Sequence, residues 1–197
     1  NMAFIGAVAG RGARTSLERG ASNAQSGRWR KPFQTRMSSG VILCPGQGAQ
    51  AVGMGQGWIA RSEAAKAVFD KADSYLGDER LGGKLSSLIL EGPKERLDRT
   101  DIAQPAIFVA SMACWAGMQE LGLADSVAAT AGLSLGEYTA LVIGGAIDFE
   151  AALELVTLRG RAMQDAAESS NGTMAALLGA DEAKAADAVK AGLAAAA

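Results

Sequence analysis

The chain has 197 residues, 49% of them hydrophobic and 20% charged, with a net charge of −2. That composition excludes a disordered or fibrous chain and provides for one folded core with part of a second. Histidine is absent, and the two cysteines, Cys44 in "VILC" and Cys114 in "SMACWAG", show neither C-x-x-C spacing nor a second pair. No zinc site, no other metal site and no disulfide framework is therefore expected, and both cysteines read as reduced core thiols.

Charge is distributed unevenly. In residues 1–40, Arg11, Arg14, Arg19, Arg28, Arg30, Lys31 and Arg36 face the single acid Glu18, so a segment of net +6 precedes a body of net −8. The segment is rich in Arg, Ser, Gly and Ala and lacks sustained periodicity, which is the composition of an organelle transit peptide. A basic tail for nucleic acid or a membrane surface is the alternative. Its basic residues show no repeated spacing, so residues 1–40 are read as a disordered targeting leader.

From Val41 the character changes. "VILC" predicts a buried strand, and "PGQGAQ" (Pro45 to Gln50) a glycine-rich loop. The loop has neither the Lys and Ser/Thr of a P-loop nor the spacing G-x-G-x-x-G, so nucleotide binding has little support. Gly46 and Gly48 allow close backbone approach to a ligand, with the Gln47 amide as a donor; a tight connecting turn is the plainer reading. "SEAAKAVFDKADSYL" (Ser62 to Leu76) predicts a capped amphipathic helix. "KLSSLILEGPKERLDRT" (Lys84 to Thr100) predicts a short helix, a break at Gly92-Pro93 and a further turn of helix.

The charge-free stretch from Ile102 to Gln119 is long enough to raise the question of a membrane span. Gln104, Pro105, Ser111 and Gln119 interrupt it, so it is expected to be a buried helix ending near Gly122. A strand at "SVAAT" (Ser126 to Thr130) and a helix at "EYTALVIGGA" (Glu137 to Ala146) then flank "AGLSLGEYTA". Further on, a helix is expected over Phe149 to Ala167, a strand over Gly172 to Gly179 and an alanine-rich helix from near Asp181. A strand feeding a glycine loop, with helices between strands, indicates an α/β architecture.

"GLSLG" has the spacing G-x-S-x-G between a strand and a helix, the context in which a serine becomes an exposed nucleophile on a tight turn. Ser134 and Glu137 also spell S-x-x-E, the capping box, in which the serine would only cap the helix. Residues alone leave both readings open.

Four motifs occur in a specific order: "GQGAQ" after the first strand, "AQPAIF" at Ala103 to Phe108, "GLSLGEYTAL" around Ser134 and "LRGRAMQ" at Leu158 to Gln164. Together they resemble the malonyl-CoA:acyl carrier protein transacylase family, from near Val41 to about Asp181. Most members carry His before the nucleophile where this chain has Leu133, a variant similar to the plant and algal plastid forms. The resemblance implies an incomplete α/β-hydrolase-like large domain over residues 41–170 and the start of a small ferredoxin-like subdomain over 171–197.

It also implies site roles. Malonyl-CoA presents a thioester carbonyl and a free carboxylate, so its site needs a nucleophile, an oxyanion hole and a cation. By the resemblance these are Ser134, the backbone N–H groups of Leu135 and Gln47, and Arg159 in a fork-to-fork pair with the malonyl carboxylate, with Gln104 also binding substrate. Arg161 is then a surface or supporting charge. Without the resemblance, Arg159 would be read as a helix salt bridge to Glu154 or Asp165.

The implied partners are malonyl-CoA and acyl carrier protein, in the plastid stroma, with no cofactor, no metal, no nucleic acid, no membrane and a monomeric state. The family's base is a histidine downstream of "LRGRAMQ", and the chain has none. The expectation is therefore a fragment of an acyltransferase, with little activity by itself. A generic serine esterase, a non-catalytic remnant and an acyltransferase module of a polyketide synthase are the alternatives.

Overall fold

A computed structural model describes residues 40–170, 177 and 179–196. The expected leader, apart from Gly40, lies outside the described residues. So does the strand expected over Gly172 to Gly179, apart from Leu177 and Gly179, the latter in a turn. The described residues fall into two compact units, 40–164 and 165–196.

The first unit is built on two parallel strands. β1 (Gly40–Cys44) pairs with β2 (Val127–Gly132), Val41 opposite Ala129 and Cys44 opposite Gly132. Parallel strands need a long crossover, and five helices between Gln56 and Glu120 supply it. β1 is not the buried strand that "VILC" predicts: alternation along it leaves Val41 and Leu43 exposed and buries Cys44.

α1 (Gln56–Ile59) follows the glycine loop and was not anticipated, because four residues after a glycine cluster carry no periodicity. α2 (Glu63–Arg80) starts as expected: Ser62 Oγ accepts a hydrogen bond from the Ala65 N–H at 2.9 Å. The Ser62 hydroxyl in turn donates to Glu120. Ala65, Phe69, Ala72 and Leu76 recur at helical spacing and form the buried stripe. At Gly77 the backbone leaves helical geometry (φ 66°), which is why the sequence pattern stops at Leu76 while helix resumes to Arg80.

α3 (Leu85–Glu91) and α4 (Lys94–Leu97) are separated by the break expected at Gly92 and Pro93. α5 (Thr100–Glu120) is enclosed on nearly every side from Ile102 to Ala110, and that enclosure accounts for the charge-free run. Among the described residues no helix is long and apolar enough to cross a membrane. Phe108, wholly buried, stacks on Phe149 with ring centroids 5.4 Å apart. Leu85, Ile89, Leu97, Leu153 and Val156 complete the same core. Burial of each such side chain contributes about 1.5–3 kcal/mol.

After β2, α6 (Gly136–Ile143) and α7 (Phe149–Ser170) follow in order, as expected. The second unit holds the last turns of α7 and α8 (Glu182–Ala196), whose first turn is capped by Asp181 accepting from the Lys184 N–H at 2.9 Å. The whole is a mixed α/β fold.

Candidate active site

The site forms where β2 ends. Ser134 has φ 54°, the one positive value outside glycine among the described residues. Holding a non-glycine residue there costs of order 1–3 kcal/mol, so the surroundings must enforce it. They do so by close backbone packing. A Cβ on Gly132 would collide with the backbone of Gly136 and Glu137, and one on Gly136 would lie 2.8 Å from the Pro45 carbonyl oxygen. Leu135, wholly buried, anchors the turn from below, while Leu133 and Ser134 face outward.

The capping-box reading does not describe this geometry. No side chain caps α6, and the Glu137 N–H donates to the Ser134 carbonyl oxygen at 3.2 Å. The Ser134 hydroxyl is instead on the open side of the turn, where its Oγ accepts from Arg159 Nη2 at 2.9 Å.

The glycine loop backs onto this turn. A Cβ on Gly46 would sit 2.7 Å from the Leu133 carbonyl oxygen, and the Leu133 N–H donates to the Cys44 carbonyl at 3.2 Å. Gln50 steadies the loop by accepting from the Gly48 N–H at 2.8 Å and donating to Asp98 at 3.1 Å. Hydrogen bonds from Lys94 and Gln50 hold the Asp98 carboxyl below the usual carboxylate range. Among the described residues, neither the Gln47 N–H nor the Leu135 N–H donates to a protein acceptor. Leu135 follows Ser134 in the chain, and Gln47 follows Gly46, the residue packed against Leu133.

Arg159 reaches the site from α7. Gly160 lets the helix approach α5 closely, since its Cβ position lies 2.8 Å from the Thr100 carbonyl oxygen. Arg159 Nη1 then donates to Gln104 Oε1 at 2.6 Å, and its guanidinium lies 6.0 Å from the Tyr138 ring centroid. Glu154, a candidate salt-bridge partner in the sequence, is taken by Arg80 through two hydrogen bonds of 2.8 and 2.6 Å. That contact keeps the Glu154 carboxyl below its usual range. Arg161 is exposed.

Of the residues singled out in the sequence, Ser134, Arg159, Gln104 and Gln47 are thus joined by direct hydrogen bonds, and Leu135 is next in chain to Ser134. The sequence reading missed Tyr138, Thr100 and Gln164. Thr100 accepts from Gln47 Nε2 at 3.0 Å, and its N–H donates to Gln164 Oε1 at 2.9 Å. Gln164 lies in the quoted "LRGRAMQ", but its contact with Thr100 arises from the packing of α7 on α5, which the letters do not show. Cys44, beneath the loop, is buried, and burial pushes its thiol up to about 11, so it stays protonated at neutral pH.

A family model described as an acyl transferase domain matches residues 41–196. The chain is 46% identical over 145 residues to a malonyl CoA-acyl carrier protein transacylase of Bacillus subtilis, covering 74% of this chain and 44% of that protein. It is 42% identical over 164 residues to a mitochondrial malonyl-CoA-acyl carrier protein transacylase of Mus musculus, covering 82% of this chain and 40% of the relative. The chain thus spans less than half the length of these relatives. Among solved structures, an acyl carrier protein S-malonyltransferase from Vibrio cholerae matches with a TM-score of 0.59 and 45% identity, over 66% of this chain and 40% of that one.

Proposed function

The chain belongs to the acyl transferase domain family, and we propose that the protein carrying it transfers a malonyl group from malonyl-CoA to the phosphopantetheine thiol of acyl carrier protein through a malonyl-Ser134 ester. The observation that carries this reading is the Arg159 guanidinium 2.9 Å from Ser134 Oγ. A cation beside a strained, outward-facing serine suits an acyl donor whose far end is a carboxylate. A neutral ester has no use for it.

In the first half-reaction Ser134 Oγ attacks the thioester carbonyl carbon. The oxyanion that forms is held by the N–H groups of Leu135 and Gln47, fixed donors of the kind worth about 3–4 kcal/mol each in acyl transfer. The C–S bond then breaks, and coenzyme A leaves with the proton taken from the serine. In the second half-reaction the carrier thiol attacks the ester and Ser134 is regenerated. Throughout, Arg159 holds the malonyl carboxylate through two parallel hydrogen bonds, a geometry lysine does not reproduce. Serine needs a base for this chemistry, and these 197 residues hold no histidine. The part they play in the reaction is nucleophile, oxyanion donors and carboxylate clamp.

The test is to incubate the full-length protein briefly with malonyl-CoA and locate the acyl group by mass spectrometry. It is expected on Ser134, with ping-pong kinetics in the complete reaction. Cys44 is no competitor with its thiol pushed up to about 11. A label on Cys44 or Cys114, or none, defeats the mechanism.

Two finer assignments belong to the same proposal. The large domain is α/β-hydrolase-like, supported by parallel strands and a strand-turn-helix serine, and a ferredoxin-like subdomain begins after residue 170. The site of action is the plastid stroma, supported by the leader's composition and by Leu133 in place of the family's His. The mouse relative is named as mitochondrial, so a mitochondrion is the competing destination. A reporter fused behind residues 1–40 should enter plastids, and a mitochondrial or cytosolic reporter overturns this assignment.

A further inference from the structure

Gln104 is wholly buried and hydrogen-bonded at both ends. Its Oε1 accepts from Arg159 Nη1 at 2.6 Å, and its Nε2 donates to Gln47 Oε1 at 3.4 Å and to Met163 Sδ at 3.2 Å. Gln47 Nε2 donates onward to Thr100 Oγ1 at 3.0 Å, and the Thr100 N–H to Gln164 Oε1 at 2.9 Å. Every link runs donor to acceptor, away from the guanidinium. Chemistry fixes the amide's orientation: arginine has no acceptor, so the oxygen of Gln104 must face it and the nitrogen must face Gln47. Aligned hydrogen bonds of this kind polarise one another and rigidify what they connect.

The partner chosen for Arg159 is neutral. A carboxylate at this position would hold the guanidinium equally well and would cancel its charge before any substrate arrived. Gln104 holds it and leaves the charge in place. Being wholly buried, it also presents no surface for substrate to touch, so the direct substrate contact that the resemblance implies for Gln104 does not fit this geometry. Resting on the malonyl reading above, we propose that Gln104 is a positioning residue that acts through Arg159, aiming the guanidinium at the acyl carboxylate without neutralising it, and that through Gln47 it ties this clamp to the oxyanion loop.

The test uses Gln104→Glu and Gln104→Met in the full-length protein, with KM and kcat for malonyl-CoA and acetyl-CoA and the melting temperature of each variant. Glu keeps the size and the acceptor but supplies the competing charge. The KM for malonyl-CoA should rise about tenfold or more, with the KM for acetyl-CoA within about twofold of wild type. Met keeps the volume and removes both polar groups, so Arg159 loses its aim; the malonyl-to-acetyl ratio of kcat/KM should fall by about tenfold. If the buried charge prevents Gln104→Glu from folding, the ratio in Gln104→Met decides.

A selective wild type with both variants equally selective overturns the role of Gln104 while leaving the malonyl reading intact. Equal losses on the two substrates together with a lowered melting temperature mark a merely structural residue and overturn it as well. A wild type with no preference for malonyl over acetyl defeats the parent reading, which is a different failure.

Discussion

At the scale of single residues, the conformation of Ser134 excludes one of the two readings that the same letters spell, the helix cap. S-x-x-E would make it a helix cap, whereas φ 54° and the contact with Arg159 turn its hydroxyl away from the helix. The sequence could not choose, because a capping box and a nucleophile turn share their spacing and differ in backbone dihedral. Gly136 carries that difference, since its Cβ position lies 2.7 Å from the Cys44 carbonyl carbon. Gly136→Ala should therefore destabilise the chain by about 1–3 kcal/mol, as over-packing against a backbone does. Gly57, in α1, has nothing within 4 Å of its Cβ position. Gly57→Ala should be neutral or stabilising by about 0.4–1 kcal/mol, because it restricts only the unfolded chain. Thermal melts of the pair check this: equal melting temperatures would mean that the turn is not held by close backbone packing.

At the scale of elements, legibility followed periodicity. α2, α5, α6 and α7 were readable because burial repeats along them or encloses them, and their starts fell within a residue or two of the expected positions. β2 was displaced, expected over Ser126 to Thr130 and found over Val127–Gly132, because its small residues carry no alternation that would fix an end. α1 was invisible for the same reason. What periodicity could not supply is how helices meet. Arg159 reaches Gln104 because Gly160 lets α7 come close to the first turn of α5, and Arg80 from α2 occupies Glu154. Lys71 from α2 makes a second exposed pair, with Glu150 at 2.6 Å. Exposed pairs of this kind add little stability. Their consequence here is that one of the acids the sequence offered to Arg159 is held elsewhere. The candidate site was legible as a set of residue types through its resemblance to a family, and the hydrogen-bonded path through Thr100 and Gln164 was not legible at all.

At the scale of the whole molecule, a parallel strand pair joined by a helical crossover brings three distant stretches to one place: the loop after β1, the turn after β2 and the middle of α7. On the proposed reading, a nucleophile with an oxyanion hole would serve any acyl group, and the part that would discriminate is Arg159. If Arg159 pairs with the malonyl carboxylate, Arg159→Ala in the full-length protein removes a charge-assisted bidentate contact, a loss of about 2–5 kcal/mol in malonyl transfer. Acetyl-CoA has no carboxylate to lose, and its transfer should stay nearly unchanged or rise once the guanidinium is gone from Ser134. The ratio of malonyl to acetyl transfer, measured for wild type and Arg159→Ala under the same conditions, is therefore the most direct test. A fall of about thirtyfold or more in that ratio is the result expected, and an unchanged ratio, with both substrates losing activity equally, would contradict the account.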